Sequence, residues 1–186
     1  MNETTDELEA LQELLDRSAG GRTRHLTDIV STERRLSAER ICTDLDDVVV
    51  LDVATVSRAG VPRLSAVDGH FLHATWYFST ASSAVKARDL LARPAVSVAY
   101  TPRDGYGIWT HGDAVAVHGQ EFTRIDAYLS EVYGMPLSDM ADGIAIFRVE
   151  PRWMVGFAMT PEEQAEFEAT LPARAERRIT ALRRLG

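Results

Sequence analysis

"VLDVATVSRAGVPRLSAV", residues 50–67, is the stretch on which the fold class turns. Extended back to Asp47, its first half is dense in β-branched residues and predicts a buried strand. Arg58-Ala59-Gly60 reads as a turn. Residues 61–67 predict a second strand, with Pro62 at its edge. Two strands this close in sequence pair as a hairpin, because a parallel pair needs a crossover of about a dozen residues.

Moving downstream, the same alternation recurs. Asp68-Gly69-His70 reads as another turn, and "FLHATWYFST" (71–80) as one strand or two short ones. A helix is predicted over 82–92 and ends before Pro94. "AVSVAYT" (95–101) is a strand, "PRDGYG" a loop, and "IWTHGDAVAVHG" (108–119) a long alternating strand with Gly112 as a candidate bulge. "TRIDAYLSEVYG" predicts a helix closed by Gly134, and "PLSDMADG" a short turn or helix. "IAIFRVEP" and "RWMVGFA" read as two strands separated by Pro151. Six or seven closely spaced strands with short connections predict a mainly β, α+β chain built as an antiparallel barrel with flanking helices.

Upstream, "DELEALQELLDR" (6–17) places Leu8, Leu11, Leu14 and Leu15 at helical spacing, and Gly20-Gly21 stops that helix. Residues 22–36 read as an extended connector. Ser37 is positioned to cap a short helix, "SAERICTDL", with Ile41 and Leu45 inward. At the other end Thr160-Pro161-Glu162-Glu163 is a capping box. It opens a helical region to about Arg184 that Pro172 could break. The organisation expected is an N-terminal helical extension (1–45), a barrel domain (46–158) and a C-terminal helical segment (159–186).

Composition bounds the function. The chain has 186 residues, 45% hydrophobic and 26% charged, with a formal net charge of −8. That charge argues against bulk nucleic-acid binding. No apolar run reaches the roughly 18–20 residues needed to span a bilayer, and the acidic N-terminus has the wrong sign for a signal or transit peptide. A single cysteine, Cys42, allows no disulfide framework and no thiolate zinc site. A cytoplasmic, reducing location is the expectation.

One segment carries chemistry. In "FSTASSAVKARDLLARP" (78–94) the hydroxyls Ser79, Thr80, Ser82 and Ser83 pass from a strand end into a helix start, followed by Lys86, the only lysine beside 19 arginines, and by Arg88. Hydroxyls can cap the helix, its first-turn N–H groups form an anion site, and a compact ammonium neutralises the charge. That set can hold a phosphate. Capping serines with solvated cations are the competing reading of the same residues. Neither GxxxxGK[ST] nor GxGxxG is present.

Taken in order, "VLDVATVSRAGVPRLSAVDG", "WYFSTASSAVKARDLLARPAVSVAY", "IWTHGDAVAV" and "IFRVEPRWMVGF" resemble the flavin-binding split β-barrel family that includes pyridoxamine 5′-phosphate oxidase. The resemblance covers about residues 47–158 and implies a Greek-key split barrel of six or seven strands. It implies an FMN phosphate held by Thr80, Ser82, Ser83 and Lys86, with Arg88 as a ligand or an ionic partner. Arg63, Leu64 and Ser65 would border the ring and phosphate. Trp109 and His111 would reach the ring from the other subunit of a homodimer. The activity implied is hydride transfer to or from a small-molecule substrate. No catalytic acid or base and no metal ligand is assigned.

The chain departs from true pyridoxamine phosphate oxidases. "RLSAVD" replaces the R-x-x-L-L-K signature, and "ARAERRITALRRLG" lacks the paired Arg and His of the substrate-phosphate segment. Pyridoxamine phosphate is therefore not the expected substrate. "KARDL" also resembles the K-x-R-N-L element of deazaflavin F420 reductases, for whose acidic tail Arg58, Arg63 and Arg103 could serve. A non-catalytic flavin or haem carrier is the third reading. His70 and His73, three apart, point to opposite faces of a strand and are read as a turn and a strand residue rather than metal ligands. Asp44, Asp46 and Asp47 read as a solvated loop, and Trp76, Trp109 and Trp153 as core or interface residues.

Overall fold

The computed structural model describes residues 3–20 and 30–184. Its six strands are β1 (Val49–Val56), β2 (Pro62–Leu72), β3 (Thr75–Ala81), β4 (Ala95–Arg103), β5 (Tyr106–Ala116) and β6 (Ile144–Ala158). They close into one antiparallel barrel in the order β1-β2-β3-β6-β5-β4. The fourth strand returns to lie beside the first, which is the 4-1-2-3 order of a Greek key.

The helices are α1 (Thr5–Gly20), α2 (Ala38–Asp44), α3 (Val85–Ala92), α4 (Gly119–Tyr133), α5 (Leu137–Met140) and α6 (Pro161–Leu182). Alternation in β1 turns Leu51 and Val53 inward, where both are fully buried. They join Phe78, Ile108, Phe147 and Met154 in the main core. Leu11, Leu14 and Leu15 of α1, Ile41 of α2 and Leu90 of α3 belong to the same cluster. The N-terminal helices thus complete the barrel core. Helix α4 packs outside the barrel, setting Ile125 and Leu129 against Tyr77 and Ile146.

Several sequence expectations are met. Ser37 caps α2 by accepting from the Arg40 N–H, and the Thr160/Glu163 capping box opens α6. Gly134 ends α4 at φ 68°, and the β5–β6 register shifts at His111/Gly112. The N-terminal connector is only partly visible. Residues 21–29, including Gly21 and most of that connector, lie outside the described residues, and Thr32–Arg34 form a 3₁₀ turn.

Other expectations are corrected. Asp68-Gly69-His70 is not a turn, because β2 runs straight through it. Gly69 faces Val49 in register, and a Cβ there would stand 2.6 Å from the Leu51 Cβ. The glycine serves close packing, and the chain reverses at His73-Ala74, both at positive φ (51° and 56°). Nor does Pro151 divide two strands. It sits opposite Gly112 at the register shift, where its missing N–H interrupts no regular ladder. A Cβ at Gly112 would overlap the Glu150 carbonyl, so only glycine allows this crossing. Helix α6 continues through Pro172, and none of its described side chains is buried.

Candidate functional site

Helix α3 starts later than its sequence suggests. Ala84, not a serine, is its N-cap, and no side chain caps it. Ser82 and Ser83 are exposed in the preceding turn, where the Ser82 N–H donates to the Gly143 carbonyl at 3.0 Å. The first intrahelical bond runs from the Arg88 N–H to the Ala84 carbonyl. The amides of residues 85–87 therefore have no intrahelical acceptor and no capping side chain. The hydroxyls expected to cap the helix leave its N-terminus open.

Lys86 stands in this first turn and lines a cavity of about 330 Å³. Residues 66–68 of β2 and 79–81 of β3 form one wall. Tyr133, Leu137 and Met140 from the α4–α5 corner form the other. Of the residues read from sequence, the structure gathers Lys86 and Thr80 here, with Ser79 beside them. Lys86 forms no ion pair among the described residues.

The remaining expected residues fall elsewhere. Arg63 and Asp89 approach to 3.6 Å, and Asp89 also pairs with Arg93 at 2.7 Å. Arg93 in turn donates to the Val56 carbonyl at 2.8 Å. The Asp of "KARDL" is thus a clasp between α3 and the β1–β2 end of the barrel. Arg88 is exposed and does not line the cavity; the ionic partner at this element is Asp89 instead. Leu64 is 70% exposed, on the outer face of β2. Ser65 is partly buried opposite Val53.

Trp109 and His111 lie on β5, three strands from β2 by way of β1 and β4. His111 accepts from or donates to Ser97 Oγ at 2.8 Å and stacks on Trp153. Together with Ala54, Val56, Pro62 and Arg152 it borders a second cavity of about 330 Å³. A single chain therefore does not bring Trp109 or His111 to Lys86.

Two cavity residues were not singled out from sequence. Tyr133 Oη donates to Asp68 Oδ2 at 3.0 Å and lies 3.0 Å from His70 Nε2. His70 is buried, and its Nδ1 lies 3.4 Å from Tyr128 Oη. Burial pushes the His70 imidazole below its usual range, against the pull of Asp68 and Asp47. Burial and then Asp68 push the Tyr133 phenol up. No spacing rule links position 68 to 133; only the packing of α4 on β2 joins them.

Other candidates close. Both His70 nitrogens are engaged by tyrosines, and His73 is a turn residue 3.1 Å from Glu7. Among the described residues no group of three or more His, Cys, Asp or Glu could hold a metal. Burial pushes the Cys42 thiol up to about 12, so it is no nucleophile at neutral pH. No described helix is long and apolar enough to cross a membrane.

A closed six-stranded Greek-key barrel, with an open helix N-terminus and a lysine that forms no ion pair among the described residues beside one cavity, defines the architecture. It is the split β-barrel fold of the pyridoxamine 5′-phosphate oxidase-like proteins. A conserved hypothetical protein of Mycobacterium tuberculosis superposes with a TM-score of 0.60 at 19% identity, over 69% of this chain and 89% of that one. A candidate pyridoxamine 5′-phosphate oxidase of Listeria innocua gives 0.54 at 15% identity, over 63% and 95%. HutZ, the haem storage protein of Vibrio cholerae, gives 0.53 at 18% identity, over 64% and 93%. At such identities the likeness is one of fold. No protein-family model and no curated protein matches the sequence.

Proposed function

We propose that this chain binds FMN at the Lys86 cavity and acts as a flavin-dependent oxidoreductase on a small organic substrate. The observation that carries this reading is the open α3 N-terminus, with Thr80 and a Lys86 free of ion pairs among the described residues in one cavity. Uncapped amides, a hydroxyl and a point cation suit a phosphate dianion better than a neutral group. FMN, when bound, supplies hydride transfer. The protein's share is to hold the phosphate with Thr80, Lys86 and the amides of residues 85–87, and to shield the ring from water.

The shield requires a second copy. The outer faces of β1 and β2 expose Val50, Val56 and Leu64. Across the sheet, Ala66, Asp52, Ala99 and Trp109 form one row by register. A twofold partner laid on this face would bring its own β5 toward the cavity. This accounts for Trp109 and His111 lying far from Lys86 within one chain. The working unit is a homodimer with the cofactor at its interface.

Two other cofactors are compatible with the fold. For F420, Arg63 is engaged by Asp89 and Arg103 by Gln164, which leaves fewer cations for an acidic tail. The similarity to HutZ favours haem as the second reading; of the described histidines, His111 and His118, both exposed and without a carboxylate partner, are then the candidate ligands. Titration of the purified chain with FMN, F420 and haem, each followed by absorbance, separates the three. Lys86→Ala is expected to weaken FMN about tenfold or more, the worth of one charge-assisted contact. Unchanged FMN affinity in that variant would show that the phosphate lies elsewhere.

A further inference from the structure

The cavity that holds Lys86 also holds a carboxylate, and an anion site has no evident use for one. Asp68 stands where the R-x-x-L-L-K signature ends in lysine, so the sign at this wall is inverted. A phosphate at Lys86 gains nothing from Asp68 by Coulomb attraction. One oxygen of this carboxylate takes a hydrogen bond from the protein, and that bond has a defined direction.

That direction follows from counting protons. A carboxylate accepts, so the Tyr133 hydroxyl, 3.0 Å away, donates to Asp68. A phenol has one proton, so at its other contact Tyr133 is the acceptor, and His70 Nε2 carries the hydrogen. The neutral imidazole then presents Nδ1 as acceptor to the Tyr128 hydroxyl. The chain Tyr128, His70, Tyr133, Asp68 runs one way, from the buried face of α4 to the cavity wall. It fixes Oδ2 of Asp68, while Oδ1 takes no bond from any described residue.

We propose that Asp68, aligned by Tyr133 and His70, is a second recognition group of this cavity, accepting hydroxyl donors from the polyol chain of the ligand whose phosphate Lys86 holds. The inference rests on the FMN reading above, and the ribityl hydroxyls of FMN are the donors concerned. A polyol phosphate satisfies both signs at once. A ligand with a second carboxylate in this place meets Asp68 as a repulsion, which gives the site specificity as well as affinity. Tyr133 and His70 are positioning residues.

The test is fluorescence titration of the full-length chain with FMN and with riboflavin, which keeps the ribityl chain and lacks the phosphate. Asp68→Asn is expected to weaken FMN and riboflavin by the same factor, about tenfold. Lys86→Ala should weaken FMN alone. Tyr133→Phe should weaken both ligands by a smaller factor and add nothing in the Asp68→Asn background, because the two act as one unit. Asp68 is exposed and Asn is isosteric, so circular dichroism should show an unchanged fold. Tighter or equal FMN binding by Asp68→Asn, which simple relief of repulsion would give, overturns the proposal and leaves the FMN reading standing. Failure of the unaltered chain to bind FMN overturns both.

Discussion

Lys86 shows what a single residue discloses and what it conceals. Its solitary occurrence after "STASS" points to an anion, and the structure gives it a cavity and no ion pair among the described residues. The hydroxyls of the serines around it suit a helix cap, whereas the chain enters α3 at Ala84 and leaves Ser82 and Ser83 exposed. His70 was legible only as a non-ligand. Its burial holds the folded-state pKa below the ordinary 6.5, so between the two values the unfolded chain binds more protons. This contribution to stability is complete above the ordinary value and is lost as pH falls below it. The charged and titratable groups around the imidazole are Asp68, Asp47, Tyr128 and Tyr133. Urea unfolding at pH 7 and pH 5 should show a smaller loss of stability for His70→Gln than for the unaltered chain. Equal losses would place the titration on other groups.

At the scale of elements, the misreadings share a cause. Asp-Gly at 68–69 carries a turn signal, and Pro151 a strand break, when only neighbours in sequence are weighed. In the barrel the glycine accommodates Leu51 from β1, and the proline sits next to a bulge at Arg152 of its own strand, β6, opposite Gly112. Long-range contacts took over residues whose local preference pointed elsewhere. The true reversal, His73-Ala74, carries no Asn or Gly although both residues are at positive φ. L-residues in that region cost about 1 kcal/mol or more. Ala74→Gly should therefore raise the unfolding free energy by about 0.5–1 kcal/mol in chemical denaturation, net of the extra freedom glycine gives the unfolded chain. A decrease would mean that packing of the Ala74 methyl on the core outweighs the backbone strain.

For the whole molecule, the decisive feature is the outer face of β1 and β2, where Val50, Val56 and Leu64 are exposed near the Lys86 cavity. Leu64, 70% exposed, lies on this face. Leu64→Glu would place a charge in the proposed interface at no cost to the barrel core. Sedimentation velocity at micromolar concentration should find a dimer for the unaltered chain and a monomer for the variant, with FMN affinity falling in parallel. A variant that stays dimeric would move the interface to another face.

The sequence by itself determined a run of hairpin-connected strands with flanking helices and the two caps at Ser37 and Thr160. These depend on side-chain period and on contacts within a few residues. It also determined that Lys86 follows a strand end into a helix start. Only the tertiary structure decided which residues meet that lysine. Asp68, Tyr133 and His70 lie up to 65 residues apart and become neighbours because α4 packs on β2. It alone decided, too, that Arg63 clasps Asp89 and that Trp109 lies three strands from β2 and does not line the cavity. Barrel closure fixes which strands are adjacent, and no local pattern along the chain encodes that adjacency.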